Sequence, residues 1–273
     1  MMETRRALRL LLLFMLVIAT TSAALADSAS PVIPNYDRGS TRVLFMIETR
    51  GGYASRLQKL TTLPDFVLYG DGTAVWTRYD KTKDLHEVFA ARLTPQEVKQ
   101  ELEFILSSGF EKWYDRYDGV TISNLPTTTF TLNFIDHPMK RTVYGLQMAL
   151  QRGLVPSNFG VLFTHFKDYR NKNEFAFPIE RILLFARKLG PAEAHRGYKT
   201  LNWGISQVKL ANFAQDSDSE YAQKEIDGRN AERVVQRLHN WTLFSTDLST
   251  VIFFKEKKVT YELGYRPLLP HEQ

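Results

Sequence analysis

From Pro126 to Phe134 the sequence alternates without a slip. Thr128, Phe130, Leu132 and Phe134 fall on one side, and Thr129, Thr131 and Asn133 on the other. A period of two fits a pleated strand, not a helix, and this contrast requires a sheet with one face packed and one at least partly wet. The turn Asp136-His137-Pro138-Met139 leads into a returning strand over 140–146. A second hairpin is expected where 66–69 and 74–77 flank Gly70-Asp71-Gly72-Thr73, with Asp-Gly supplying the positive-φ positions of a tight two-residue turn. Strands are also expected from Arg42 to Gly51-Gly52 and over 86–92.

Helices must cover such sheets. Thr94-Pro95-Gln96-Glu97 is a capping box with Pro at the first helical position, and Val98, Leu102, Ile105 and Leu106 recur at helical spacing up to Gly109. Residues 157–189 are expected as two helices. The first is capped by Ser157, with Phe159, Leu162, Phe163 and Phe166 on one stripe; the second opens at Pro178 and carries Ile182, Phe185, Ala186 and Leu189 to a stop at Gly190-Pro191. Beyond these lie an expected strand (205–210), an acidic loop (212–228), a helix (231–238) and a hairpin of 250–254 with 259–265. The fold class is therefore α+β, with mainly antiparallel sheets, packed helices and two halves of similar rhythm. These are 42–146 and 191–273, joined by a helical connector over 147–190, in one compact unit.

Nothing covalent is available to hold this architecture. None of the 273 residues is cysteine, which excludes disulfides, thiol nucleophiles, iron–sulfur clusters, thiolate zinc sites and a lipid-modified cysteine. With 44% hydrophobic and 24% charged residues, a chain of this length can bury a sufficient core.

The first 26 residues have another purpose. Arg5, Arg6 and Arg9 precede the apolar run 10–19, and the small residues after it end in Ala24-Leu25-Ala26. This is the order of a secretory signal peptide, with cleavage expected after Ala26, a flexible leader over 27–41, and a periplasmic or secreted destination. Ten apolar residues are short of the roughly 20 that span a bilayer, so no stable membrane span is expected after cleavage. The alternative is a retained anchor over 10–26, which would make the chain a membrane-tethered structural protein. Segment 1–26 carries three Arg and one Glu, so removing it lowers the net charge from +5 to +3. That is too small and too dispersed for a nucleic-acid partner.

Four segments resemble, in order, a family of uncharacterised exported bacterial proteins: Leu63-Pro-Asp-Phe-Val-Leu-Tyr-Gly-Asp-Gly72, Leu93-Thr-Pro-Gln-Glu97, Pro126-Thr-Thr-Thr129 and Arg266-Pro-Leu-Leu-Pro270. Many such proteins look like lipoproteins; this chain departs from them in having no cysteine to acylate. The resemblance implies a fold and an address, and it carries over no catalytic residue.

Local catalytic signatures are missing. His86-Glu87 begins like a zinc-protease motif, but Ala90 stands where the second His belongs. Asp216, Asp218, Glu220 and Asp227 are spaced like a calcium loop, but Tyr221 occupies the position that needs glycine, so a solvated acidic loop is expected. No Gly-x-Ser-x-Gly elbow or phosphate-cradling glycine loop is found, and no cofactor is expected. Glu48, on an otherwise apolar strand, reads as a strand-end residue or as the partner of a nearby Arg. Asn240-Trp241-Thr242 is a glycosylation sequon. Trp76 and Arg78 share one strand face, and Tyr69 is expected nearby across the hairpin. An open face of these three could recognise an envelope protein, peptide or glycan, unless other parts of the chain cover it. The function expected is a non-catalytic binding protein of the bacterial cell envelope. The alternative is an envelope-polymer hydrolase with dispersed acidic or His residues.

Overall fold

A computed structural model of the chain describes residues 31–80, 85–190, 193, 200–212, 221–239 and 253–272. The expected cleavage site, the sequon, and Asp216, Asp218 and Glu220 lie outside them. Residues 34–273 form one unit. Among the described residues are thirteen strands and five helices, arranged around two mainly antiparallel sheets, so the α+β class holds.

The first sheet takes β1 (Val43–Gly51), β2 (Phe66–Tyr69), β3 (Thr73–Asp80), β4 (Leu85–Arg92), β5 (Arg116–Tyr117), β6 (Pro126–Asn133), β7 (Pro138–Tyr144) and β8 (Phe175–Ala176). Their spatial order is β5-β7-β6-β1-β2-β3-β4-β8. The alternating stretch is β6, with Phe130 paired to Ile47 and Leu132 to Phe45. The β2–β3 connection differs from the tight turn expected. Leu68 pairs with Ala74, the Gly72 N–H reaches the Tyr69 carbonyl at 3.0 Å, and only Gly72 (φ +88°) is in the positive-φ region. This is a three-residue connection whose last residue must be left-handed.

Helix α1 (Arg56–Thr61) lies between β1 and β2, α2 (Pro95–Ser107) follows β4, α3 (Leu146–Gln151) follows β7, and α4 (Asn158–Lys167) precedes β8. The Thr94–Glu97 capping box is formed in both directions, at 3.2 and 2.8 Å. Ser157 stands at the start of α4, but its side chain makes no capping bond.

The second sheet, β10-β12-β13-β9-β11, holds β9 (Arg181–Lys188), β10 (Thr200–Asn202), β11 (Ala222–Asp227), β12 (Phe253–Glu256) and β13 (Val259–Pro267), and α5 (Gly228–His239) packs on it. The second connector helix, expected from Pro178, is strand β9. The run Ile182–Ala186 suits either period, and pairing with β13 over seven positions, from Lys188–Tyr261 to Ile182–Pro267, decides for strand. The strand expected at 205–210 is a loop closed by a 3₁₀ turn at Leu210–Asn212, with Ile205, Val208 and Leu210 buried. Part of the expected acidic loop is the edge strand β11.

The described part of the leader runs against the first sheet. The Ile135 N–H bonds the Asn35 carbonyl at 2.9 Å, and the chain at Asp37 crosses Gly70 so closely that a β-carbon there would lie 1.7 Å from the Asp37 carbonyl oxygen. Among the described residues no helix is long and apolar enough to cross a membrane.

Candidate functional site

The two faces of the first sheet are covered differently. On one, Phe45, Phe66, Trp76 and Phe130 meet Phe159, Phe166 and Tyr169 from the α4 region. Phe66 and Phe166 are 4.5 Å apart by ring centroid, and Trp76 and Tyr169 are 5.1 Å apart. On the other, the cluster is mostly aliphatic: Val67, Tyr69, Val75, Ala90 and Leu269, bordered by Leu63, Val88 and Phe177.

The recognition face expected from Tyr69, Trp76 and Arg78 is therefore not assembled. Trp76 belongs to the aromatic face and Tyr69 to the aliphatic one, and both are fully buried. Arg78 pairs with Glu174 at 2.9 Å and stacks 3.7 Å above the Phe89 ring. The physical reason is that helices cover one face and the end of the chain covers the other. After β13 the chain returns over the first sheet. Leu269 enters the aliphatic cluster, His271 Nδ1 meets the Tyr69 hydroxyl at 2.8 Å, and Arg266 pairs with Glu272 at 2.6 Å. Burial holds the His271 imidazole below its ordinary pKa and raises that of the Tyr69 hydroxyl.

Between the end of β13, α1, the strap after β8 and the first sheet lies a cavity of about 550 Å³. Leu63, Asp65, Thr77 and Val88 border it from the first sheet, Gln58 and Thr61 from α1, Phe177 and Ile179 from the strap after β8, and Tyr265 and Pro267 from β13. Such a volume suits a small organic ligand. Local rules position the walls. A second capping box starts α1, with the Gln58 N–H bonding Ser55 Oγ at 3.2 Å and the Ser55 N–H bonding Gln58 Oε1 at 2.8 Å. Gly264 lets α1 lie against β13, since a β-carbon there would stand 2.6 Å from Leu57 Cδ1. The Phe177 N–H holds the strap to the Val88 carbonyl at 2.9 Å.

Asp65 is the unusual group in the wall. Its N–H bonds the Ile47 carbonyl at 2.8 Å, and its carbonyl accepts from the Thr77 N–H at 3.2 Å, so its backbone is fixed between β1 and β3. Its Oδ2 is shielded from solvent and has no hydrogen-bond partner. Burial pushes the carboxyl above the usual carboxylate range, against the Thr49 hydroxyl and the charges of Lys167 and His86. His86 and Glu87 border the same cavity.

Glu48 is held by Arg50 at 2.6 Å, the ion pair that was one of its two expected roles. His86-Glu87 lies on strand β4, not on a helix. Among the described residues no three His, Asp or Glu side chains are grouped to hold a metal ion. Sequence reasoning missed Asp65, although an acid between Pro64 and the apolar run 66–69 is a visible break in pattern. It also missed α1, although Ser55-x-x-Gln58 is a capping-box signature. No known protein family, curated protein or solved structure matches the chain.

Proposed function

We propose that this chain is an exported, non-catalytic binding protein of the bacterial cell envelope, and that the inter-sheet cavity takes a small, mainly apolar ligand with one polar group. The observation that carries this reading is Asp65, a carboxyl with a solvent-shielded, unpartnered oxygen in a largely apolar wall. A buried polar atom without a partner costs about 1–3 kcal/mol, and a ligand amine or hydroxyl would remove that cost. The export signal supports the address, and two of the segments that resemble the exported family, 63–72 and 266–270, contribute to the cavity wall. The mature protein then begins at Asp27, which N-terminal sequencing of the secreted form checks.

The test is thermal melting of the full chain with phenethylamine and with its neutral counterpart, phenethyl alcohol. Ligand at 100 times its dissociation constant should add about 2.7 kcal/mol. The amine is expected to raise the melting temperature of the wild type, and Asp65→Asn to lose that response. No shift with either compound would remove the cavity as a site for ligands of this class.

A hydrolase is the second reading. It is favoured by the company of His86 and Glu87 at the cavity of a carboxyl whose pKa burial raises, the direction a general acid needs. It requires turnover of an envelope glycan that Asp65→Asn abolishes. Binding without turnover leaves the first reading.

A further inference from the structure

Far from Asp65 in sequence, α5 and the loop after β10 enclose a second hollow, about 610 Å³ and open to solvent. Among the described residues its wall carries no acid: Asn202, Ser206, Gln207, Gln236, Arg233 and Arg237 surround Trp203, Gly204 and Ile205. We propose that this hollow is an anion site for a phosphomonoester, held between the Arg233 and Arg237 guanidiniums.

Four observations converge on it. Arg233 and Arg237 are four residues apart on α5, so they project from the same side, one turn apart. Among the described residues neither has a carboxylate within ion-pair distance, whereas Arg78, Arg92, Arg141, Arg181, Arg187 and Arg266 all do. Arg237 is anchored, with one Nη donating to the Asn202 carbonyl and its guanidinium 5.8 Å from the Phe254 ring centre. Yet its Nε–H is shielded from solvent and has no acceptor. A charged donor left without an acceptor is costly, and an oxyanion in the hollow would supply one.

The loop opposite is held in shape. Trp203 Nε1 donates to the Val208 carbonyl at 2.6 Å, the Trp203 N–H bonds the Lys255 carbonyl at 2.8 Å, and Gly204 takes φ +74°. Gln207 and Gln236 add amide donors to the wall. Two guanidiniums and two carboxamides suit a tetrahedral dianion with several acceptor oxygens better than a carboxylate with two. This site stands independently of the inter-sheet cavity.

The experiment is calorimetric titration of the full chain with inorganic phosphate against chloride at equal ionic strength. Three variants accompany it: Arg233→Gln, Arg237→Lys, and Arg229→Gln as a control on the same helix outside the hollow. Saturable binding is expected, weakened about tenfold or more, or 1.4 kcal/mol, by Arg233→Gln and left unchanged by Arg229→Gln. Arg237→Lys keeps the charge and removes the Nε–H, so it should also weaken binding while the melting temperature without phosphate stays near the wild type's. Equal loss from Arg229→Gln would mean diffuse attraction to a basic helix and would overturn the site, as would absence of saturable binding. Sedimentation with phosphatidylcholine vesicles, with and without phosphatidic acid, separates the sources. Binding only to free phosphate points to a soluble phosphomonoester, and Arg233-dependent binding to the phosphatidic acid vesicles points to a lipid headgroup.

Discussion

The two faces of the first sheet are built from the same strands and finished in opposite ways. On the face of Trp76, large rings from sheet and helices interlock, with Phe45, Phe66 and Phe166 all within 6.4 Å of one another by ring centroid. On the face of Tyr69, the packing is mostly aliphatic, and a cavity of about 550 Å³ remains beside α1, the strap after β8 and the end of β13. Among the described residues, each face also holds one shielded polar atom without a partner, Trp76 Nε1 on the first and Asp65 Oδ2 in the cavity wall of the second. Their surroundings give these atoms different meanings. The indole N–H is sealed in a filled core and can only cost stability. The carboxyl borders a space that a ligand can fill. Dense packing yields a single well-ordered structure, and incomplete packing beside a fixed polar group yields a site.

The comparison predicts a graded set of outcomes. Phe166→Ala, which opens the filled face beneath two rings, should cost about 3–5 kcal/mol by urea unfolding and leave amine binding per folded molecule unchanged. A cost below about 1 kcal/mol would mean that the aromatic face is as loosely finished as the other. Gly264→Ala drives a methyl group against Leu57 and Thr61. Overpacking of this kind costs about 1–3 kcal/mol. It should also displace α1 and weaken binding in the cavity, which separates it from a purely structural lesion.

Tyr69→Phe removes the hydroxyl that meets His271 and should cost about 0.5–1.5 kcal/mol. The same contact carries a pH dependence. Burial lowers the His271 pKa in the folded state, so its contribution is fully present above the unfolded value of about 6.5 and is lost as pH falls through the lower folded value. Melting curves of wild type and His271→Gln should therefore converge on acidification.

Asp65 has the opposite sign. Its folded pKa is raised, so the favourable protonated form is fully present below the unfolded value of about 3.9, and stability is lost as pH rises through the folded value. Asp65→Asn mimics the protonated acid. It should be indistinguishable from the wild type in acid and more stable at neutral pH, by an amount that grows through that window. A pH-independent difference would mean that the carboxyl is solvated, and the contrast between the two faces would lose its polar element.

Much of the fold was legible in the residues, and the reasons can be named. The Pro126–Phe134 alternation, the Thr94–Glu97 box and the apolar stripe of α2 are local patterns that tertiary contacts had no cause to override. The segment 178–189 failed because a short, wholly apolar run fits both periods, and its state depended on β13, more than seventy residues away. The site was less legible. Tyr69, Trp76 and Arg78 were selected for their chemistry, but whether a Trp is a contact or a core residue depends on what lies above it. Asp65 stands out only as an acid before the apolar run 66–69, and nothing near it in the chain says that it is buried.

The sequence by itself determined the class: strands from a period of two, helices from caps and a period near four, and a core without cysteine. Each of these is written in near neighbours along the chain. The tertiary structure alone decided which face of the first sheet is filled and which keeps a cavity. That outcome depends on where α1, the strap after β8 and the closing segment at 268–272 land, and on residues hundreds of positions apart, such as Tyr69 and His271, meeting at one point. Burial, and with it the raised pKa of Asp65, is a property of that assembly and not of the residue.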